Sequence, residues 1–204
     1  LFEELLPKTK ARHGPNHPRT RAGMSNIKVA RTFLRLQERY RDQAAKLGPG
    51  HIDTLLARRD LAQAYMAFNQ LDQAETILTE VIAAMKDRAT DDPILAFTIG
   101  LLRTCATIRE KKQPDSWLTF NTRSMLGGAL LGRKKYADAE PLLLKGYEGM
   151  KKREQTIPPQ AKIRLTEALQ RLVQLYDATG KQDDAAKWRK ELEATKQGKG
   201  PLKN

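Results

Sequence analysis

The chain has 204 residues, and 37 Lys and Arg against 24 Asp and Glu give it a formal net charge of +13. With 40% hydrophobic and 30% charged residues it has the composition of a soluble protein, and the 6% of aromatics are few enough to sit at defined packing positions. No apolar run reaches the roughly 18 residues that a membrane-spanning helix needs. Cys105 is the only cysteine, which excludes an internal disulfide framework and any multi-cysteine metal site and fits a reducing, cytoplasmic setting. The charge surplus suits an acidic protein, a nucleic acid or an anionic surface, without choosing among them.

Leu1 to Leu6 are acidic and amphipathic, unlike a secretory signal, and the missing initiator Met leads us to expect a fragment. His13-Gly14-Pro15-Asn16-His17-Pro18-Arg19-Thr20 and Leu47-Gly48-Pro49-Gly50-His51-Ile52-Asp53-Thr54 read as one joint used twice. Gly and Pro break the outgoing helix, and Asp53 or Thr54 is expected to cap the incoming one. His13, His17 and His51 therefore belong to joints and have no Cys or carboxylate at metal spacing, so no metal site is expected.

After the second joint, Leu55, Leu61, Ala62, Tyr65 and Met66 mark a helix over 53–67. A short link, Phe68-Asn69-Gln70, leads to a strongly amphipathic helix over 71–86, with Leu71, Ala74, Ile77, Leu78, Val81, Ile82 and Met85 on one stripe. The segment from Asp91 to Lys112 is too short for two helices and a turn and is read as one. A further pair follows from Trp117 to Leu131 and from Tyr136 to Met150. A last pair carries Ile163 to Tyr176, Gly180 as the left-handed helix exit, and Ala185, Trp188 and Leu192. No comparable segment alternates with a period of two, so the fold class is all-α. Residues 196–204 are expected to be a disordered basic tail.

The pairs share a finer rule: a large residue, a small one, a large one three further on, and Ala nine residues later. Leu61-Ala62, Tyr65 and Ala74 satisfy it first; Leu126-Gly127, Leu130 and Ala139 second; Leu172-Val173, Tyr176 and Ala185 third. Small residues let two helix backbones approach, and the large ones wedge each pair against the next. The pattern resembles the tetratricopeptide repeat, and the joints resemble those of kinesin-light-chain-like repeats. The resemblance implies antiparallel helix pairs stacked as a right-handed solenoid. A regular pair at 53–87 lies within an irregular region 1–112, and regular repeats with a capping helix fill 113–195. The irregularity is specific: after Ile27, Lys28 stands where a small residue belongs and Arg31 where Tyr is usual, so the pair between the joints is expected to be shortened or fused.

The stretch from Pro114 to Ala194, with Trp117-Leu118-Thr119-Phe120-Asn121-Thr122-Arg123-Ser124 and Tyr136-Ala137-Asp138-Ala139-Glu140-Pro141-Leu142-Leu143, is similar to the repeat-bearing tails of large bacterial serine/threonine protein kinases. That resemblance implies a recognition or regulatory region whose catalytic domain lies upstream. Kinase motifs do not occur here: Ala57-Arg58-Arg59-Asp60-Leu61 mimics a catalytic loop, but Tyr65 stands where its Asn is required. Gly127 to Lys134 mimics a phosphate loop at the wrong end of a helix and without the magnesium-holding Ser or Thr. Glu3, Glu4, Asp72, Glu75, Asp183 and Asp184 are read as solvated carboxylates, and Cys105 as a buried structural thiol. No catalytic residue and no cofactor is assigned.

Carried over residue by residue, the repeat resemblance implies a concave groove lined by Arg59, Gln63, Asn121, Ser124, Gly128, Gln170 and Gln174, with Arg123 nearby. Amides and hydroxyls there suit an extended peptide backbone, and the arginines suit carboxylates. The leading expectation is a protein-interaction scaffold whose partner is a protein or peptide, of acidic character if the arginines engage it. The alternatives are a kinase fragment and a basic nucleic-acid-binding repeat, although the regularly spaced base-reading side chains of the latter do not appear.

Overall fold

The computed structural model describes residues 2–89 and 91–197, with side chains from Pro7 onward except that of Asn26. Residues 198–204, most of the expected disordered tail, lie outside the described residues. Two compact units divide between Asn69 and Gln70. Every regular element among the described residues is helical, as the periodicity requires, and none is long and apolar enough to cross a membrane.

The first unit contains α1 (Phe2–His13), α2 (Pro18–Leu47) and α3 (Ile52–Ala67), with α2 packed against both of the others. Residues 27–46 lie wholly inside α2, so the expected pair is fused into one 30-residue helix. The duplicated joint is duplicated in space too: Gly14 and Gly48 take φ of 81° and 85°, and the caps His17 and His51 have nearly identical extended backbones. In each, histidine Nδ1 accepts the backbone N–H two residues on, at 3.2 Å. His51, not Asp53 or Thr54, is thus the cap of α3. The position two after Asp53's neighbour Ile52 is spent on packing instead, because Thr54 is fully buried, like its counterpart Thr20 in the first joint.

The second unit contains α4 (Leu71–Ala84), α5 (Pro93–Lys112), α6 (Trp117–Gly132), α7 (Tyr136–Lys152), α8 (Ile163–Ala178) and α9 (Gln182–Lys196). Two short 3-10 turns, Glu154–Thr156 and Pro159–Ala161, connect α7 to α8. Each helix packs on the next, while α4, α6 and α8 also touch in sequence, so these three form one layer and α5, α7 and α9 alternate along the other side. Asp92 starts α5 by accepting the N–H groups of Ile94 and Leu95 at 2.8 and 3.0 Å, with Pro93 in the first turn. Arg88 donates to the same carboxylate and, with these backbone bonds, holds it below the usual range.

The repeat rule describes the packing. Ala62, Ala74, Ala139, Leu172 and Ala185 are fully buried, and Leu61, Leu126, Leu130 and Tyr176 nearly so; Gly127 is buried, while Tyr65 and Val173 are partly exposed. The tightest contact is between α6 and α7. A Cβ on Gly127 would meet the Leu143 side chain at 2.8 Å, one on Gly146 the backbone N of Ser124 at 2.8 Å, and one on Gly149 the ring of Phe120 at 1.9 Å. Farther along, Tyr147 donates its hydroxyl to Glu191 and meets Trp188 edge-on, tying α7 to α9. Tyr176 donates to Glu140, tying α8 to α7.

The turns before α4, α7 and α9 share one device, a left-handed residue two positions ahead of the helix: Asn69, Lys134 and Gly180, with φ of 57°, 57° and 72°. Lysine has no local hydrogen bond to favour that conformation, so Lys134→Gly is expected to raise unfolding free energy by about 0.5–1 kcal/mol or leave it unchanged. Gly146→Ala faces immovable backbone and should lower it by about 2–4 kcal/mol. Urea denaturation followed by circular dichroism measures both.

Candidate partner-binding cleft

The layer of α4, α6 and α8 encloses a cleft of about 270 Å³. Ile82, Leu95, Met125 and Ala129 make its apolar surface; Thr79, Gly128 and Gln174 add small or polar groups. Its charged lining is Lys86, Arg88, Arg133 and Arg171, four cations and no acid. α4 reaches this layer because α5 is a single helix, which shifts the alternation of layers by one element.

Arg171 is the centre of the cleft's polar wall. Its guanidinium crosses from α8 to α6, donating to Ser124 Oγ at 3.1 Å and, more loosely, to Glu167 at 3.4 Å. It passes over the bare backbone of Gly128, where a Cβ would stand 2.8 Å from Arg171 Cδ. Burial pulls its pKa below the ordinary arginine value, with Glu167 opposing. A partly desolvated cation with one loose acidic partner favours a further anion.

The expected groove residues divide accordingly. Gly128 and Gln174 line the cleft, Ser124 joins it through Arg171, and Gln170 is exposed one turn before Gln174 on α8. Asn121 is buried on α6, its amide nitrogen 3.3 Å from Met125 Sδ and its Oδ1 without a hydrogen bond. Arg123 turns toward α5, where it pairs with Glu110 at 2.8 Å and stacks on Phe120. Arg59 and Gln63 belong to α3 in the first unit, Arg59 bonded to Asp60 at 2.8 Å and Gln63 exposed. Sequence reasoning passed over Arg171, although it lies between Gln170 and Gln174 on the same face of α8 and that spacing marks it. Lys86, Arg88 and the floor residues carried no signal, since only the shifted alternation brings the end of α4 to this layer.

One prediction from sequence is corrected. Glu75 is not a solvated carboxylate: it is 3% exposed and receives two hydrogen bonds from Arg109, at 2.6 and 3.1 Å, and one from Thr122 at 2.9 Å. Arg109 also bonds Asp72, whose side chain is otherwise exposed, as expected. Asp183 and Asp184 are exposed, and the side chains of Glu3 and Glu4 lie outside the described residues. The junction of Arg109 with Glu75 and Thr122 joins α4, α5 and α6. Burial pushes the Glu75 carboxyl above its usual range, opposed by Arg109 and Thr122. Burial also pushes Cys105, fully enclosed nearby, up to about 12.

No protein-family profile matches the sequence, and no curated protein matches it. Among solved structures the chain is similar to a putative kinesin light chain of Podosopora anserina with nearly identical TPR-like repeats, at 18% identity and TM-score 0.43 over 98% of this chain and 95% of that one. A single-residue variant of the same protein gives 20% identity and TM-score 0.42 over 95% and 98%. Within each unit the described helices pack on their neighbours in sequence, which defines the class as an all-α, tetratricopeptide-like repeat fold, with large-small-large packing and a left-handed residue ahead of α4, α7 and α9.

Truncating either Glu75 or Arg109 to Ala should cost about 3–5 kcal/mol of unfolding free energy, whereas the paired Glu75→Leu, Arg109→Met replacement should cost far less. Because the Glu75 pKa is raised in the folded state, its contribution is complete below about 4.5 and declines as pH rises through the folded value. Stability of the natural chain should therefore fall with rising pH from about 4.5 more than that of Glu75→Gln. Cys105 should resist a thiol reagent in the native protein and react once urea unfolds it, which absorbance of the released thiolate records.

Proposed function

We propose that the chain is a protein-interaction module that holds an extended, acidic segment of a partner in the cleft formed by α4, α6 and α8, the last two within the regular repeats of 113–195 and α4 from the earlier pair at 53–87. The observation carrying this reading is the cleft's lining: an apolar floor with four cations and no acid among the lining residues, Asp92 and Glu167 standing behind Arg88 and Arg171. Carboxylates on the partner would meet Arg171 and Arg133, Gln174 and Gln170 would bond its backbone, and an apolar side chain would rest on Met125 and Ala129. Asn121 and Ser124 support this wall from beneath, and Arg123, Arg59 and Gln63 are secondary candidates for contact outside it. The module performs no chemistry of its own. A regulatory tail of a bacterial serine/threonine kinase is the fuller setting that the Pro114–Ala194 resemblance favours, and a longer reading frame with kinase motifs would establish it.

The test is recovery of proteins from a cytosolic extract by the purified chain, with identification of the bound partner. Arg171→Ala combined with Gln174→Ala should reduce recovery by about tenfold or more while the fold is retained. Excess polyanion should leave recovery by the natural chain largely intact. Recovery dominated by nucleic acid and indifferent to this pair of substitutions would replace the peptide reading with simple polyanion binding.

A further inference from the structure

The first unit carries a second surface that the cleft does not explain. From Leu5 to Gln37 the sequence has eight Lys and Arg and not one Asp or Glu, the most one-sided stretch of charge in the chain. Within it, α2 is unusually poor in burial: Ile27 is buried, but Met24, Val29 and Leu34 are 42%, 37% and 55% exposed. Met24, Ile27, Arg31 and Leu34 follow the i, i+3, i+7, i+10 spacing that places residues on one stripe of a helix, with Lys28 and Arg35 beside it. Alongside this stripe, α1 and α2 form a groove of about 480 Å³, with Pro7, Met24 and Ile27 as apolar lining and Lys28, Arg31 and Arg35 as its charges.

α2 packs on α1 and α3 through other faces, Phe33 meeting Tyr65 and Phe68 edge-on, so the exposed Met24 and Leu34 form a stripe that a further contact could cover. The features of this face define the occupant. A second copy of the face would bring like charges together. A nucleic acid would pair with Lys28 and Arg35 but leave Met24 and Leu34 in water. An anionic membrane would reach the exposed Met24 and Leu34 but leave the groove beside the buried Ile27 unfilled. We infer that the groove between α1 and α2 and the exposed stripe beside it dock an acidic amphipathic helix of a partner protein, laid along α2 with its apolar ridge on Met24, Ile27 and Leu34 and its carboxylates against Lys28 and Arg35. The contact is of the helix-in-groove kind, and it is independent of the cleft in the second unit.

The probe is a capped, fluorescein-labelled synthetic helix of about 18 residues, long enough to run about 27 Å, with leucines on one stripe and glutamates flanking them. Fluorescence anisotropy with the full chain should show saturable binding. The same composition scrambled, so that the leucines no longer share a face, should bind at least about tenfold more weakly. Met24→Asp, which changes an exposed side chain, should weaken the stripe peptide by about tenfold, as should Lys28→Glu combined with Arg35→Glu. Lys145→Glu, on α7, should leave binding unchanged. Absence of binding, or equal binding of the scrambled peptide, overturns the inference. It is likewise overturned if duplex DNA or anionic vesicles displace the probe and Met24→Asp has no effect on it, since charge alone would then explain the surface.

Discussion

The close approach of α6 to α7 sets the frame of the second unit. Three glycines leave room where any side chain would strike Leu143, the backbone of Ser124 or the ring of Phe120. Two helices held this near lose the freedom to slide, because interlocked surfaces at crystal-like density move only by breaking many contacts at once. That fixed pair presents two opposite faces. One receives α5, while α8 rests on the other, and the cleft inherits its shape from both. Phe120, wedged on Gly149, is also covered by the guanidinium groups of Arg153 and Arg123, so the same contact orders the start of α6.

The second constraint is the buried junction of Arg109 with Glu75 and Thr122. Charges removed from water favour only an arrangement in which their partners stand at hydrogen-bonding distance, so this junction fixes the register of α5 between α4 and α6 more sharply than apolar packing would. A single helix in this position turns a pairwise alternation into an odd one. As a result α4, whose sequence pattern is that of a second helix, lines the same layer as α6 and α8. The cationic rim of the cleft follows from that displacement, because Lys86 and Arg88 come from the chain just after α4.

The two units distribute positive charge differently. In the second unit, many of the cations are matched: Arg109 with Glu75, Arg123 with Glu110, Arg153 with Asp115, Lys181 with Glu140 and Arg164 with Glu167. Two of the cations lining the cleft are paired as well, Arg88 with Asp92 and, more loosely, Arg171 with Glu167, and the lining itself carries cations and no carboxylate. In the first unit, acids are absent over a long stretch, and five of its eight cations lie along α2, the other three on α1. Potential focused in a concavity favours a few well-placed carboxylates, whereas potential along a rod favours a partner of matching length.

Much of the fold was legible in the sequence because helix periodicity and the large-small-large spacing are local properties. Leu71 to Met85, Leu126 with Gly127, and Leu172 with Tyr176 declare their buried face without reference to any other element. Gly180 announced its left-handed turn by residue type, and the repeated Gly-Pro-x-His joint announced itself by recurring. The structure decided what depends on residues far apart. Glu75 looks solvated on its own helix and becomes buried only because Arg109, 34 residues later, lies across it. Gly146 and Gly149 matter through Ser124 and Phe120, and His51 caps α3 because the joint's backbone aims its ring at the Asp53 N–H. The cleft is the fullest case: the face of α6 and α8 could be read from spacing, but its third wall and the bridge from Arg171 to Ser124 arise from the register in which whole helices stack, and that register is set by long-range contacts that no window of sequence contains.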